Sequence, residues 1–278
     1  MLQILALLAA TSVEPTVSTA WLQSHLTDPQ VRIVYTGDRG AYDRAHIPGA
    51  RFIDHMDTLA GQMSGGGAMD HHMLPIPELA KALAAKAGAA DGAHLVVYGD
   101  SPMQTGWIYM TLAAVGHAGD VSLLDGNMNL WRSENRPVTA DITPPASGTL
   151  TVQPATDIIV DAPYVKARLQ SPDVKVLDVR TTMEWNNGHL PGATLILWQD
   201  LYADQRTLTF KSIDDIRALL TKAGVAPNQS VVTYCAVGMR ASLMYWAAKA
   251  AGINARVYVG SWQDWQRDSG NPIVKSPM

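Results

Sequence analysis

The chain has 278 residues, which is too long for one typical domain and long enough for two that each bury a core. Its apolar fraction of 47% and charged fraction of 17% suit a globular protein, and a formal net charge of -4 excludes a broad basic surface for nucleic acid. A single cysteine, Cys235, excludes an intramolecular disulfide and a multi-cysteine metal site. That cysteine is therefore either a buried hydrophobe or a reactive group.

The N-terminus begins with an apolar run, Leu2–Ala10, followed by small residues as in a secretory signal, although no Lys or Arg precedes it. This run is too short to span a bilayer, which needs roughly 20 apolar residues, and no later segment reaches that length without charges or glycines. We expect a soluble monomer without a membrane span. Cytoplasm and periplasm both stay open as its compartment.

The chain repeats itself. The segment His46–Ala50 returns as His189–Ala193, 143 residues later. Two further echoes follow in the same order: Leu95–Gly99 is matched by Val231–Cys235 at an offset of 136, and Gly126 with Trp131 is matched by Gly260 with Trp265 at an offset of 134. Three ordered echoes with similar offsets predict two domains of one fold.

A stretch rich in proline, Val138–Asp157, separates the copies and favours extended or turning backbone. We place the N-terminal domain at 12–140, the linker at 141–157 and the C-terminal domain at 158–278. Short β-branched runs alternate with helical stretches, which predicts an α/β fold with a mainly parallel central sheet flanked by helices in each domain. In the second copy these segments are Val174–Val179, Ile213–Ala223, Val231–Tyr234, Met239–Ala251 and Arg256–Val259.

The most informative segment is Cys235–Arg240, which follows a strand that is apolar on both faces and opens a helix. Open α/β sheets bind ligands at the carboxyl ends of their strands. Inward-pointing amides and the helix N-terminus would favour an anion there, including a thiolate, and Gly238 permits a tight loop. A buried, inert cysteine is the alternative, but the loop position favours a nucleophile.

The first copy has Gly99, followed by Asp100, where the second has its cysteine. The first loop therefore has neither a nucleophile nor a positive neighbour, and we predict one active and one silent domain. His46 and His189 precede Pro-Gly turns in both copies, including the silent one, which indicates a role in folding.

These features together resemble the tandem-domain rhodanese family, the thiosulfate and 3-mercaptopyruvate sulfurtransferases. The resemblance covers about Val17 to Ile273. Besides the cysteine loop and the glycine and tryptophan near each domain's end, it rests on Asp178–Arg180, Gly188–Ala193 and His72–Pro75. It implies two tandem rhodanese-like domains, of which the first has lost its cysteine.

The resemblance also implies roles for single residues. Cys235 would take sulfane sulfur from a donor, hold it as a persulfide and pass it to cyanide or a thiol, while the loop amides stabilise both anions. The loop comprises Ala236, Val237, Gly238, Met239 and Arg240. We expect Arg240 mainly to support the loop, with some electrostatic help.

Two residues outside the loop carry open alternatives. Arg180 matches the family arginine that binds the donor's oxyanion, or it forms a structural salt bridge with Asp178 or Glu184. His72 resembles an interdomain histidine for which a proton relay has been proposed, or it is an exposed bystander.

The residues around the cysteine bear on which sulfur donor the protein uses. Mercaptopyruvate enzymes usually carry hydroxyl residues after the cysteine and a second arginine before the His-Pro-Gly motif, and animal thiosulfate enzymes carry two basic residues after the cysteine. This loop has Ala236 and Val237 instead, and only Thr181–Asn187 separates Arg180 from Gly188. We therefore predict thiosulfate as the donor, with 3-mercaptopyruvate as the alternative.

Rival functions fit less well. Cysteine phosphatases and arsenate reductases need five residues between cysteine and arginine, and four separate Cys235 from Arg240. A module that carries persulfide to a partner protein remains an alternative of another class. We interpret His55, Asp70, His71 and His72 as a solvated group rather than a metal site, and Gly65–Gly67 as a flexible stretch rather than a nucleotide loop, so no cofactor is implied.

Overall fold

A computed structural model describes residues 13–60, 72–117, 121–144 and 149–275. The apolar run at 2–10, Gly65–Gly67, Asp70 and His71 lie outside this range. The first sheet has five parallel strands in the order β1-β7-β6-β2-β3. Its strands are β1 (Thr16–Val17), β2 (Val31–Thr36), β3 (Arg51–Phe52), β6 (His94–Gly99) and β7 (Val121–Leu124).

The second sheet repeats this arrangement with five parallel strands in the order β10-β9-β13-β14-β8. Its strands are β8 (Ile159–Val160), β9 (Val174–Asp178), β10 (Thr194–Leu195), β13 (Ser230–Tyr234) and β14 (Ala255–Tyr258). Each domain adds a small antiparallel pair. These pairs are β4 (Leu59–Ala60) with β5 (His72–Met73), and β11 (Tyr202–Asp204) with β12 (Thr209–Phe210).

Helices cover the sheets. In the first domain they are α1 (Thr19–Ser24), α2 (Arg39–Arg44), α3 (Ile76–Ala82), α4 (Pro102–Ala114) and α5 (Asn127–Ser133). In the second they are α6 (Ala162–Lys166), α7 (Thr182–Asn187), α8 (Ile213–Lys222), α9 (Met239–Ala250) and α10 (Ser261–Trp265). The predicted fold class is confirmed, and each segment predicted in the second copy ends within one residue of the observed element.

The central helices α4 and α9 are buried almost all round, because each lies between its own sheet and the other domain. Their backbones meet at Gly106, where an added Cβ would lie 2.6 Å from the Cα of Leu243. One hydrophobic core therefore runs through both domains, with Trp107 on one side and Trp246 on the other. No helix among the described residues is long and apolar enough to cross a membrane.

The segment between the sheets follows the surface of the first domain. Its described parts, 141–144 and 149–157, contain no helix or strand. The amide of Gln153 donates to Val115 O at 3.0 Å, and that of Ala155 donates to Ala114 O at 3.1 Å. The assigned limits of the two domains and the linker stay predictions.

The echoed motifs have matching structural roles in both domains. His46 and His189 are buried, and their rings stack on Tyr42 and Trp185 with centroids 3.9 and 3.5 Å apart. Each imidazole also hydrogen bonds to the carbonyl of the residue on which it stacks. These contacts support the prediction that both histidines serve the fold.

Candidate active site

Cys235 lies between β13 and α9, at the carboxyl end of the central strand of the second sheet. Its side chain is buried, with 1% of the residue exposed. The amide of Gly238, at the start of α9, donates a hydrogen bond to Cys235 Sγ at 3.1 Å. The sulfur therefore lies where a helix N-terminus and a loop amide both favour a negative charge.

The backbone of the cysteine loop is attached to the segment after β14. The amide of Cys235 donates to Ser261 Oγ at 3.1 Å, and that hydroxyl donates to Tyr258 O at 2.7 Å. The amides of Trp262 and Gln263 donate to the carbonyls of Cys235 and Ala236, both at 3.0 Å. These bonds fix the start of the loop without using the sulfur.

Gly238 is required both for its conformation and for the space beside it. Its φ of +89° lies in the left-handed region, and an added Cβ would lie 2.9 Å from Val259 O and 3.3 Å from Trp107 Cζ3. Trp107 belongs to α4 of the first domain, and its indole N–H donates to Thr58 Oγ1 at 2.8 Å. The first domain thus supplies a wall against the active loop.

Gly238→Ala should reduce the rate of any reaction of Cys235 by about 10²-fold, because the displaced loop would no longer direct its amide at the sulfur. Gly252→Ala is the matched control. Its φ is +80° and no heavy atom lies within 4 Å of an added Cβ, so it carries only the conformational cost of about 1–2 kcal/mol. The rate of alkylation of Cys235 by iodoacetamide is measured in both variants, and equal rates would contradict a role for the Gly238 amide in activating the sulfur.

Arg240 is held at the end of the loop by Glu184. Its two Nη atoms donate to the two carboxylate oxygens of Glu184, each at 2.7 Å. Glu184 also forms a capping box with Thr181 at the start of α7. The hydrogen bond from Arg240 is the main reason that the pKa of Glu184 falls to about 2.

Two opposing effects act on the pKa of Arg240. Burial alone lowers the pKa of Arg240, but the hydrogen bond to Glu184 and the charge of Cys235 outweigh it, so the pKa lies above its usual value. Arg240 therefore ties α9 to α7 and adds positive charge near the sulfur. This arrangement agrees with the expected role of Arg240 in supporting the loop.

Arg180 lies in the interior of the second domain, with 1% of the residue exposed. Its Nε and Nη2 donate to the carboxylate of Asp178 at 2.9 and 2.6 Å, and Nη2 also donates to Gly188 O at 2.7 Å. The guanidinium lies 4.6 Å from the ring centre of Trp262. This geometry matches the salt bridge with Asp178, and it leaves only 2% of the Arg180 side chain exposed.

His72 is exposed on β5 and lines a cavity of about 470 Å³ between the two domains. The second domain contributes Tyr258, Val259 and Gly260 to the lining, but Cys235 does not line this cavity. Among the lining residues, Val259 lies beside the active loop, because an added Cβ on Gly238 would lie 2.9 Å from its carbonyl oxygen. The structure thus places His72 near the loop's supports, without a described contact to the sulfur.

The first domain shows the same framework without the cysteine. The phenol oxygens of Tyr98 and Tyr234 accept hydrogen bonds from the equivalent amides of Ile47 and Leu190, so Gly99 occupies the position of Cys235. Its amide donates to Asn127 Oδ1, as the amide of Cys235 donates to Ser261. A Cβ on Gly99 would lie 1.8 Å from Thr36 O, so no side chain fits there.

Two supporting residues, Ser261 and Trp107, were not found from the sequence, and Glu184 was considered only as a partner of Arg180, whereas the structure pairs it with Arg240. Ser261 had a signal, since it directly follows the echoed Gly260, as Asn127 follows Gly126. Among the described residues, no group of three or more His, Cys, Asp or Glu side chains is arranged to hold a metal ion. His55 contacts Asp54, with Nδ1 to Oδ1 at 2.9 Å.

Comparisons with known proteins agree with this geometry. The sequence model of the rhodanese-like domain matches residues 18–134 and again 161–268. A thiosulfate sulfurtransferase from Azotobacter vinelandii is 29% identical over 92% of this chain and 96% of that protein. The sulfur carrier protein TtuD from Thermus thermophilus is 30% identical, over 94% of this chain and 97% of its own length.

A probable 3-mercaptopyruvate sulfurtransferase from Pseudomonas aeruginosa is 29% identical over 84% of this chain and 85% of that protein. Among solved structures, SseA from Escherichia coli, described as showing the rhodanese fold of 3-mercaptopyruvate sulfotransferases, superposes with a TM-score of 0.76. It shares 22% identity and aligns over 90% of this chain and 99% of its own. At that identity, the likeness shows the fold.

Proposed function

The chain belongs to the rhodanese-like domain family, and we infer that it is a sulfurtransferase in which Cys235 carries the sulfur as a persulfide. The observation that carries this inference is the hydrogen bond from the Gly238 amide to Cys235 Sγ at the N-terminus of α9. A thiolate or a terminal persulfide sulfur needs such donors once it is removed from water.

The proposed reaction has two steps. The Cys235 thiolate attacks the outer sulfur of thiosulfate, and the S–S bond of the donor breaks so that sulfite leaves with the electron pair. The new bond leaves the enzyme as Cys–S–S⁻. Cyanide or a thiolate acceptor then attacks the terminal sulfur, which gives thiocyanate or an acceptor persulfide and restores the thiolate.

The loop residues would stabilise both anionic forms. The loop consists of Ala236, Val237, Gly238, Met239 and Arg240; its Gly238 amide donates to the sulfur, and α9 adds partial positive charge at its N-terminus. We assign Arg240 to support of this loop and to its positive potential. We assign Arg180 to the internal structure of the second domain, since its guanidinium is engaged by Asp178.

The residues of the loop suit thiosulfate as the sulfur donor better than 3-mercaptopyruvate. Sulfite leaves as a stable anion, whereas loss of sulfur from 3-mercaptopyruvate forms an enolate that must take up a proton. The loop offers apolar Ala236 and Val237 where a hydroxyl relay would be needed, and His72 has no described contact with the sulfur. Comparing kcat/KM for the two donors tests this preference, and a higher value for 3-mercaptopyruvate would reverse it.

A persulfide carrier that serves a partner protein is the second candidate. It is favoured by the 30% identity to the sulfur carrier protein TtuD over nearly the whole chain. A carrier would transfer sulfur faster to its partner than to cyanide. To test this, protein loaded with persulfide is separated from thiosulfate and mixed with cyanide. A carrier would lose its persulfide slowly, whereas an enzyme of the thiosulfate–cyanide type would lose it at a rate at least as high as its kcat.

We propose that the protein acts as a monomer in either case.

Incubation with excess thiosulfate should increase the mass of the protein by about 32 Da, one sulfur atom on one nucleophilic thiolate. Intact-mass spectrometry followed by peptide mapping should place the adduct on Cys235, and added cyanide should remove it. Cys235→Ser is the control and should gain no mass. If neither thiosulfate nor 3-mercaptopyruvate adds sulfur to the wild-type protein, the proposed function is wrong.

A further inference from the structure

A small basic cavity lies on the first domain, between α2, β3 and the start of the segment that leads to the second domain. Its volume is about 200 Å³, and its lining includes Arg39, Arg51 and Lys86 together with Tyr42 and Phe52. We call it the basic cavity. None of its lining residues belongs to the second domain or to the loop of Cys235.

Arg51 is the unusual member of this cavity. Its Nε is shielded from solvent and has no hydrogen-bond partner in the described part of the chain, where its guanidinium forms no ion pair either, unlike those of Arg39 and Lys86. A buried N–H without a hydrogen-bond partner is unfavourable, so such groups require an explanation. Burial, and then the nearby charge of Arg32, lower the pKa of Arg51.

The other two cations lie at the exposed side of the cavity. Arg39 is held by Asp43, with Nε to Oδ1 at 2.8 Å, and its guanidinium lies 5.0 Å from the ring centre of Phe52. The side chain of Lys86 is half exposed and pairs with Asp57. Both therefore bring positive charge to the rim while having carboxylate partners of their own, and Arg51 is the lining cation without such a partner among the described residues.

The second domain shows that the fold does not require these charges. At the offset of 143 residues that relates His46 to His189, Arg39 corresponds to Thr182 and Arg51 to Thr194. Both pairs occupy equivalent places, since α2 and α7 begin with Arg39 and Thr182, and β3 and β10 begin with Arg51 and Thr194. The silent domain has cations where the active domain has neutral residues.

We propose that the basic cavity binds a small molecule or group that carries a tetrahedral oxyanion of the phosphate or sulfate type, through the guanidinium of Arg51. The planar fork of an arginine matches two oxygens of such a group, and Arg39 and Lys86 add attraction at the rim. This inference is independent of the proposed sulfur transfer, because it uses no residue of the active loop.

Isothermal titration of the full-length protein with inorganic phosphate, sulfate or phenyl phosphate, at constant ionic strength set by sodium chloride, tests the proposal. We expect saturable binding of one oxyanion per chain. Arg51→Gln should weaken it by about 10- to 100-fold, through loss of charge-assisted hydrogen bonds. Phenyl phosphate binding at least as tightly as phosphate would assign the site to esters, and the reverse order would assign it to free oxyanions.

Arg206→Gln is the matched control, since it removes one positive charge from an exposed side chain of the second domain. It should change the affinity by less than about twofold, because exposed charges act weakly across a screened distance. Sulfur transfer should be normal in both variants, which shows that they fold. If Arg51→Gln misfolds, Arg39→Gln replaces it and should weaken binding by about 3- to 10-fold. Absence of saturable binding, or equal affinity in the Arg51 or Arg39 variant and wild type, would overturn the proposal.

Discussion

Cys235→Ser is expected to lower kcat/KM for sulfur transfer from thiosulfate to cyanide by at least about 10³-fold, because a serine oxygen is a weak nucleophile and cannot form a persulfide. Cys235 is the only cysteine in the chain, so no other thiol can replace it. The colorimetric assay of thiocyanate formation measures the loss.

The substitution should leave the fold intact. The bonds that hold the start of the loop use the backbone of Cys235 and Ser261 Oγ, not the sulfur. We therefore expect the free energy of unfolding to change by no more than about 1 kcal/mol, as for a substitution of similar size. A folded Cys235→Ser protein that retained more than a tenth of wild-type turnover would refute the persulfide mechanism.

Arg180→Ala is expected to destabilise the second domain by about 3–5 kcal/mol, because it leaves the carboxylate of Asp178 buried without its countercharge. Asp178 is fully buried, and Arg180 supplies its ion pair. Unfolding in urea, followed by the fluorescence of the buried tryptophans, measures the loss. The KM for thiosulfate, measured under conditions where the variant is folded, should stay near the wild-type value.

Arg206→Ala provides the comparison for this effect. Arg206 pairs with Asp204 at the surface of the same domain, and its side chain is 91% exposed. Exposed pairs contribute about 0–1 kcal/mol, so this variant should be nearly as stable as wild type. If Arg180→Ala instead raised the KM several-fold without a change in unfolding free energy, Arg180 would bind the donor after all.

The sequence predicted the second domain's elements well because its signals are local. Strand β13 is apolar on both faces, which predicts a central strand of a parallel sheet. The repeat also indicated where several segments end, without any use of helix or strand propensities. The same local pattern predicted that Cys235 follows a central strand, and in the structure it follows β13, the central strand of the second sheet. The relation of Gly99 to Cys235 also came from the repeat alone, and the matching tyrosine hydrogen bonds agree with it.

The contacts that sequence reasoning missed join residues far apart in the chain. Trp107 reaches Gly238 across the domain interface, and Glu184 meets Arg240 only after α7 and α9 have packed. Arg180 is a different case, because its partner Asp178 is two residues away. Whether that pair is solvated or buried depends on Trp262, and no local pattern reports such packing. The basic cavity was missed because its cations, Arg39, Arg51 and Lys86, come from three segments that are far apart in the sequence.

The tight fit of Gly99 against Thr36 has an evolutionary consequence. Glycine and cysteine codons can differ by a single nucleotide, so a lost cysteine is in principle among the easiest residues to regain. Here the backbone of Thr36 has closed over the position, and a Cβ would lie 1.8 Å from its carbonyl oxygen. Reversion would therefore need the neighbouring strand to move first. Sterics therefore keep a cysteine out of this position in the first copy.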